Sequence, residues 1–94
     1  MRVLEKDVER YLKRRVEQDL KGKCIKIPAI YEEGIPDRLL VLPEGRIAFV
    51  ELKRPKGGVL APKQEYWHMV LRRLGCKVYV VKNCAEVEAM LREI

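Results

Sequence analysis

One stretch constrains the folding of this chain more than any other: RLLVLPEGRIAFVEL, from Arg38 to Leu52. Two apolar runs flank Pro43-Glu44-Gly45, which is a hairpin signal. Proline presets the φ of a turn's first central residue, and glycine takes the left-handed conformation that closes a three-residue loop. Such a loop sets Leu42 opposite Arg46 and, counting back, Asp37 opposite Glu51. Opposed residues on antiparallel strands share a face, with Cβ atoms about 4.5–5.5 Å apart. Lys53, two residues beyond Glu51, projects from the same face. A four-residue loop would slip the register by one and send Asp37 to the other face, so the inference depends on Gly45. Both runs are apolar on successive residues, which predicts a sheet covered on both sides.

The rest of the chain reads as elements around this hairpin. Leu4, Val8, Leu12, Val16 and Leu20 repeat every four residues and predict one amphipathic helix over Leu4–Leu20, with Gly22 as its stop. Cys24–Ile27 reads as a short strand ended by Pro28, and AIYEEGIPD as a loop. Pro62 suits the first turn of a second helix that Gly75 ends, with Trp67, Val70, Leu71 and Leu74 as its buried face. Val78–Val81 is a β-branched strand, and strand–helix–strand with a right-handed crossover predicts that it lies parallel to Ile47–Leu52. Asn83 and Glu86 form a variant capping box for a last helix, whose face is Val87, Met90 and Leu91. The order α-β-β-β-α-β-α describes an α/β domain: a small mixed sheet with helices on both sides. Its 94 residues allow one core and no more.

Charge narrows the partners. The net charge is +6, much of it between Arg2 and Lys26, while the last eleven residues are net acidic. That asymmetry suits a polyanion such as nucleic acid. Aromatic residues do not interleave with basic ones, so backbone contacts are expected to outweigh base stacking. No apolar run approaches a membrane span, and the charged N-terminal stretch is unlike a signal peptide. An intracellular protein with no membrane partner is expected. Cys24, Cys76 and Cys84 lack metal-ligand spacing and read as small apolar residues of a reducing compartment.

The predicted meeting of Asp37, Glu51 and Lys53 has two readings. Close carboxylates repel unless a cation sits between them. In one reading Lys53 is that cation and the three form a structural network. In the other the cation is a divalent metal, since Mg²⁺ prefers oxygen ligands and takes one or two protein carboxylates. The second arrangement suits phosphodiester hydrolysis: the metal activates water and neutralises phosphate, and the amine orients the nucleophile or offsets developing charge.

Taken together, GIPDRLLVLPEGRIAFVELKRP, APKQEYWH and GCKVYVV resemble the PD-(D/E)XK nuclease superfamily, and more narrowly its small stand-alone VRR-NUC domains of phages and bacteria. Asp37, Glu51-Leu52-Lys53 fourteen residues on, and Gln64 at the head of the next helix carry the likeness, which spans nearly the whole chain. The resemblance implies a restriction-endonuclease-like core and a Mg²⁺- or Mn²⁺-dependent endonuclease acting on DNA. It implies Asp37 and Glu51 as metal ligands with the Leu52 carbonyl, Lys53 as the catalytic lysine, and Gln64 as a residue that orders the site. The family also places a glutamate on the first helix, and here Glu5 and Glu9 both match that pattern. By analogy with junction-resolving relatives, a homodimer and a branched substrate such as a four-way junction or flap are expected. One departure is Ala61, where relatives commonly carry a Ser or Thr cap.

Further candidates flank the site. Arg38, Arg54, Lys56 and Lys63 are placed to hold phosphates or are solvated charges. His68, the only histidine, is either a substrate contact or a packing residue. Gly57-Gly58 lacks the following Lys-Ser/Thr of a phosphate loop and reads as a mobile cleft rim. The chain has no serine or threonine, which excludes hydroxyl-based triads. Two non-enzymatic readings remain beside the nuclease: a nucleic-acid-binding module with structural acids, and an interaction protein with a salt-bridged core.

Overall fold

A computed structural model describes residues 4–30 and 32–94. Its elements follow the expected order: α1 (Glu5–Arg14, continued as a wider helical turn over Arg15–Asp19), β1 (Lys23–Lys26), β2 (Arg38–Leu42), β3 (Arg46–Leu52), α2 (Pro62–Arg73), β4 (Val78–Val81) and α3 (Cys84–Glu93). The strands form one sheet in the order β1-β2-β3-β4. The first three are antiparallel to their neighbours, and β4 runs parallel to β3 as the crossover rule requires.

The hairpin register is the one the Pro-Glu-Gly turn dictates. Leu42 pairs with Arg46 and Arg38 with Val50. Gly45 takes a left-handed φ of 74°, and Glu44 joins it at 69°. Pleating then sorts the strands by parity. Leu40, Leu42, Ala48, Val50 and Leu52 are buried, and all but Ala48 join a core with Val8, Leu12 and Val16 of the first helix and Val87 and Met90 of α3. The middle of the expected first-helix stripe is therefore buried, whereas Leu4 caps the helix and is exposed and Leu20 is half-buried. Glu88 fastens the two helices: it accepts from Arg15 Nε at 2.6 Å, Arg15 Nη2 at 2.9 Å and Tyr11 OH at 2.6 Å. Those bonds hold its carboxyl well down, at about 2.

The helix widens before it ends, with Leu20 N–H donating to the Arg15 carbonyl at 2.9 Å. Gly22 marks the stop for a reason other than conformation. Lys21 takes the left-handed φ of 62°, whereas a Cβ on Gly22 would lie 2.4 Å from the Val41 carbonyl oxygen. At the last helix, Asn83 Oδ1 accepts from Glu86 N–H at 2.8 Å, and Glu86 returns a bond to Lys82 N–H at 2.7 Å.

Two expectations fail on the other face of the sheet. It is only partly covered: Ile25 is 46% and Ile47 51% exposed, because the single helix α2 packs on β4 and leaves β1 and β2 open. The inward face of α2 is also rotated from the apolar set expected. Leu74 lies past the helix end and is 75% exposed, while His68 is the buried residue.

Candidate active site

The register that pairs Arg38 with Val50 carries Asp37 and Glu51 to the same end of β2 and β3. Asp37 Oδ1 accepts from the Leu52 backbone N–H at 3.3 Å, and its own carbonyl accepts from Ile27 N–H at 2.9 Å. Both bonds fix the acid against the sheet. Gly34 makes this possible from behind: its φ is +101°, and a Cβ there would lie 2.5 Å from the Lys63 carbonyl oxygen and 2.9 Å from Trp67. The loop before Asp37 thus lies directly on the first turns of α2.

Glu51 is 3% exposed. Burial, then the neighbouring charge of Asp37 and a hydrogen bond between the two carboxyls, pushes it up to about 8, against the pull of Lys53. Asp37 is also raised, chiefly by burial, with Arg38, Glu51 and the Leu52 N–H opposing. The pair therefore holds a proton at pH values where free carboxyls have lost theirs.

Lys53 does not act as the cation between them. Its Nζ donates to Gln64 Oε1 at 2.8 Å, and among the described residues it makes no ion pair with either acid within 4.0 Å. Gln64 is the hub of the site. Its Oε1 also accepts from Ala61 N–H at 2.9 Å, and its Nε2 donates to Glu51 Oε2 at 3.2 Å. The missing cap at Ala61 is thereby half replaced, since Gln64 supplies the reciprocal bond of a capping box.

The other expected site residues divide sharply. Glu9 is taken by Arg38, whose Nη2 lies 2.8 Å from it. Both glutamates line the larger hollow, but Glu5 alone also lines the smaller one with Asp37, Glu51 and Lys53, and its charge raises both acids. Arg38 is corrected as a phosphate contact: it is 5% exposed, with Nη1 on the Asp37 carbonyl at 2.9 Å. His68 is likewise corrected, because at 1% exposure it lies beneath Glu51 and does not meet solvent. Arg54, Lys56 and Lys63 are exposed, and Lys63 pairs with Glu33 at 2.9 Å. Gly58 is no loose rim. It is buried, and a Cβ on it would stand 2.7 Å from the Arg54 nitrogen and 3.0 Å from Lys53 Cβ.

Two hollows meet at the acids. One, of about 540 Å³, runs between the first helix, the loop before Asp37 and the start of α2. The other, of about 220 Å³, is bounded by Leu52, Arg54, Gly57, Gly58 and Val59. Among the described residues no three acidic, histidine or cysteine side chains gather into a metal cluster. The donor set is instead two carboxylates with backbone beside them, which fits a hard divalent cation that keeps most of its waters. Glu51 Oε1 supports that fit, being buried with no hydrogen-bond partner among the described residues.

Fold and site together define an α/β domain built around an acid–acid–lysine centre at the end of a mixed sheet. The sequence pattern of the VRR-NUC domain matches residues 2–84. A solved VRR-NUC domain superposes with a TM-score of 0.85 at 33% identity, covering 94% of each chain. The chain is also 38% identical over 84 residues to "Putative nuclease p44" of Acyrthosiphon pisum secondary endosymbiont phage 1, covering 88% of each. It belongs to the VRR-NUC domain family.

Proposed function

We propose that the protein is a metal-dependent endonuclease of the PD-(D/E)XK type that hydrolyses DNA phosphodiester bonds. The observation that carries this reading is the pairing of the half-buried Asp37 with the buried Glu51, both raised, while the nearby Lys53 amine is committed to Gln64. Arg38 Nη1 stands 3.6 Å from Asp37 Oδ1, but among the described residues no lysine or arginine pairs with the buried Glu51. Facing acids so placed are costly unless something else neutralises them. A structural Asp–Lys–Glu network would have used Lys53 for that purpose.

Asp37, Glu51 and the Leu52 carbonyl would hold Mg²⁺ or Mn²⁺, with Glu5 beside them. When bound, the ion supplies Lewis-acid charge for the phosphate and activates water. The chain's own residues do the rest. Gln64 accepts one Lys53 proton, which fixes the amine while leaving its other N–H groups to face a phosphoryl oxygen or the attacking water. Its amide nitrogen restrains Glu51 at the same time. The exposed Arg54, Lys56 and Lys63 supply cations for the DNA backbone around the cleft.

Branched DNA, such as a four-way junction or flap, is the proposed substrate, and a homodimer the proposed assembly. Cutting two strands needs two sites, and the exposed Ile25 and Ile47 on the open sheet face offer apolar surface for a second copy to bury. The deciding experiment incubates supercoiled plasmid and a synthetic four-way junction with Mg²⁺ or Mn²⁺. Metal-dependent cleavage that disappears in Asp37→Ala and Lys53→Ala proteins is expected. Binding of DNA by folded protein without cleavage would identify a non-catalytic binding module instead.

A further inference from the structure

Among the described residues three polar or charged side chains are buried: Arg38, Glu51 and His68. Arg38 is paired with Glu9, and Glu51 belongs to the proposed metal site. His68 has no assigned task, yet it sits beneath that site with both ring nitrogens lacking a hydrogen-bond partner among the described residues. Its Nε2 lies 3.6 Å from Glu51 Oε1, itself the buried oxygen without a partner.

We infer that His68 is a positioning residue for Glu51, its Nε2–H aimed at Oε1 so that α2 restrains both oxygens of the carboxylate. The inference rests on the proposed role of Glu51 as a metal ligand. Gln64 and His68 stand four residues apart on α2, hence on one helical face. Gln64 donates to Oε2 at 3.2 Å, and His68 faces Oε1. The separation of 3.6 Å is just beyond hydrogen-bond length, and an ionised Glu51 is the stronger acceptor.

A neutral imidazole ring has one N–H. Placing that proton on Nδ1 would bury a donor with no acceptor and turn the Nε2 lone pair toward the carboxylate oxygen. Both consequences are costly. Placing it on Nε2 leaves only an acceptor unpaired. The geometry therefore selects the Nε2–H tautomer, and with it a donor for Glu51.

A residue that merely filled space would be replaced by Leu with no effect on the ion. A positioning residue would not, since partners of metal-binding side chains typically contribute about 10–100-fold in metal affinity. Mn²⁺ binding is measured by titration calorimetry on the whole chain, folding being checked by circular dichroism. His68→Leu is expected to weaken Mn²⁺ binding at least about ten-fold. The Mn²⁺ concentration for half-maximal cleavage should rise in parallel, with KM for DNA little changed. His68→Gln, whose amide nitrogen replaces Nε2, is expected to recover most of the loss.

Nitrogen NMR of the unsubstituted protein gives an answer independent of any variant's folding. With one histidine in the chain, its tautomer is read without assignment, and with saturating Mg²⁺, which keeps Glu51 ionised, Nε2–H is expected. A Nδ1–H ring, unchanged Mn²⁺ affinity in His68→Leu, or equal loss in the Leu and Gln variants each overturns the inference while leaving the nuclease reading intact. If the unsubstituted protein neither binds Mn²⁺ nor cleaves DNA, the nuclease reading falls and takes this one with it.

Discussion

Lys53 donates to the side-chain oxygen of Gln64 at 2.8 Å, so the site's amine is held by a neutral partner. Its charge therefore remains available to substrate instead of being spent on an acid. The same Gln64 oxygen closes the start of α2 through Ala61 N–H. Gln64→Ala should consequently separate two effects. Loss of the Ala61 bond is expected to cost about 1 kcal/mol in urea denaturation. Release of Lys53 and Glu51 should lower kcat by about one to two orders of magnitude, with KM for DNA nearly constant. Unchanged kcat in steady-state cleavage would show that Gln64 only caps the helix.

Glu51 gives metal-free protein an unusual pH dependence. Unfolding returns its carboxyl from about 8 to the ordinary 4.5. Between those values the folded state holds a proton that the unfolded chain has released. Stability is therefore fully present below about pH 4.5, falls as pH rises, and is lost through about pH 8. The slope for one such group approaches about 1.4 kcal/mol per pH unit. Glu88 and His68 have the opposite sign. The Glu88 window lies below pH 4.5 and that of His68, lowered by burial, below about pH 6.5, so Glu51 acts alone of the three above that. Urea denaturation with chelator at pH 6.5, 7.2 and 8 reads the slope directly. Stability that rose with pH over this range would contradict the account.

Asp37→Asn tests what the pair costs. The substitution removes the charge that raises Glu51 while keeping an acceptor near Leu52 N–H. At pH 8 without metal, the variant is expected to be as stable as the unsubstituted protein or more so. A melting-temperature rise on adding Mn²⁺ should be present in the unsubstituted protein and absent in the variant. A sharp loss of stability in Asp37→Asn would point to a structural acid.

Glu5 and Glu9 occupy adjacent turns of the first helix and should behave differently. Glu9→Gln breaks a contact to the buried Arg38, so a loss of about 1 kcal/mol is expected, the Glu9 side chain being 42% exposed. Its cleavage rate should be nearly unchanged. Glu5→Gln should leave stability within about 0.5 kcal/mol and raise the metal concentration needed for cleavage. Denaturation beside a metal titration of the two variants distinguishes them, and the reverse pattern would exchange their roles.

Gly57 and Gly58 adjoin but face different constraints. Gly57 needs its left-handed φ of 77°, with nothing within 4 Å of an added Cβ. Gly57→Ala should cost about 1–2 kcal/mol of conformational strain and little activity. Gly58→Ala drives a methyl group into the Arg54 backbone and against Lys53 Cβ, so about 1–3 kcal/mol and a clear fall in kcat are expected. Equal activity in the two variants would show that Gly58 does not position Lys53.

Some of this was legible because it is local. Pro43, Glu44 and Gly45 fix a turn, the turn fixes the register, and the register brings Asp37 beside Glu51 without reference to any other element. The helix stripes and the Asn83 cap are local in the same sense. The inward face of α2 was not, since its apolar residues favoured Leu74 and the buried position went to His68. The place under Glu51 went to a polar ring, a choice that hydrophobic periodicity does not register.

The same distinction runs through the site. Sequence alone determined that two acids and a lysine gather at one end of a hairpin, because strand pairing and side-chain alternation leave no other placement once the turn is set. Tertiary structure decided how they are used. Arg38 takes Glu9, and Glu5 is the one of the two that reaches the smaller hollow beside the acids. Gln64 takes Lys53, and His68 takes the place under Glu51. Each of these choices joins side chains on different elements, where burial makes an unpaired charge expensive and packing alone selects its partner.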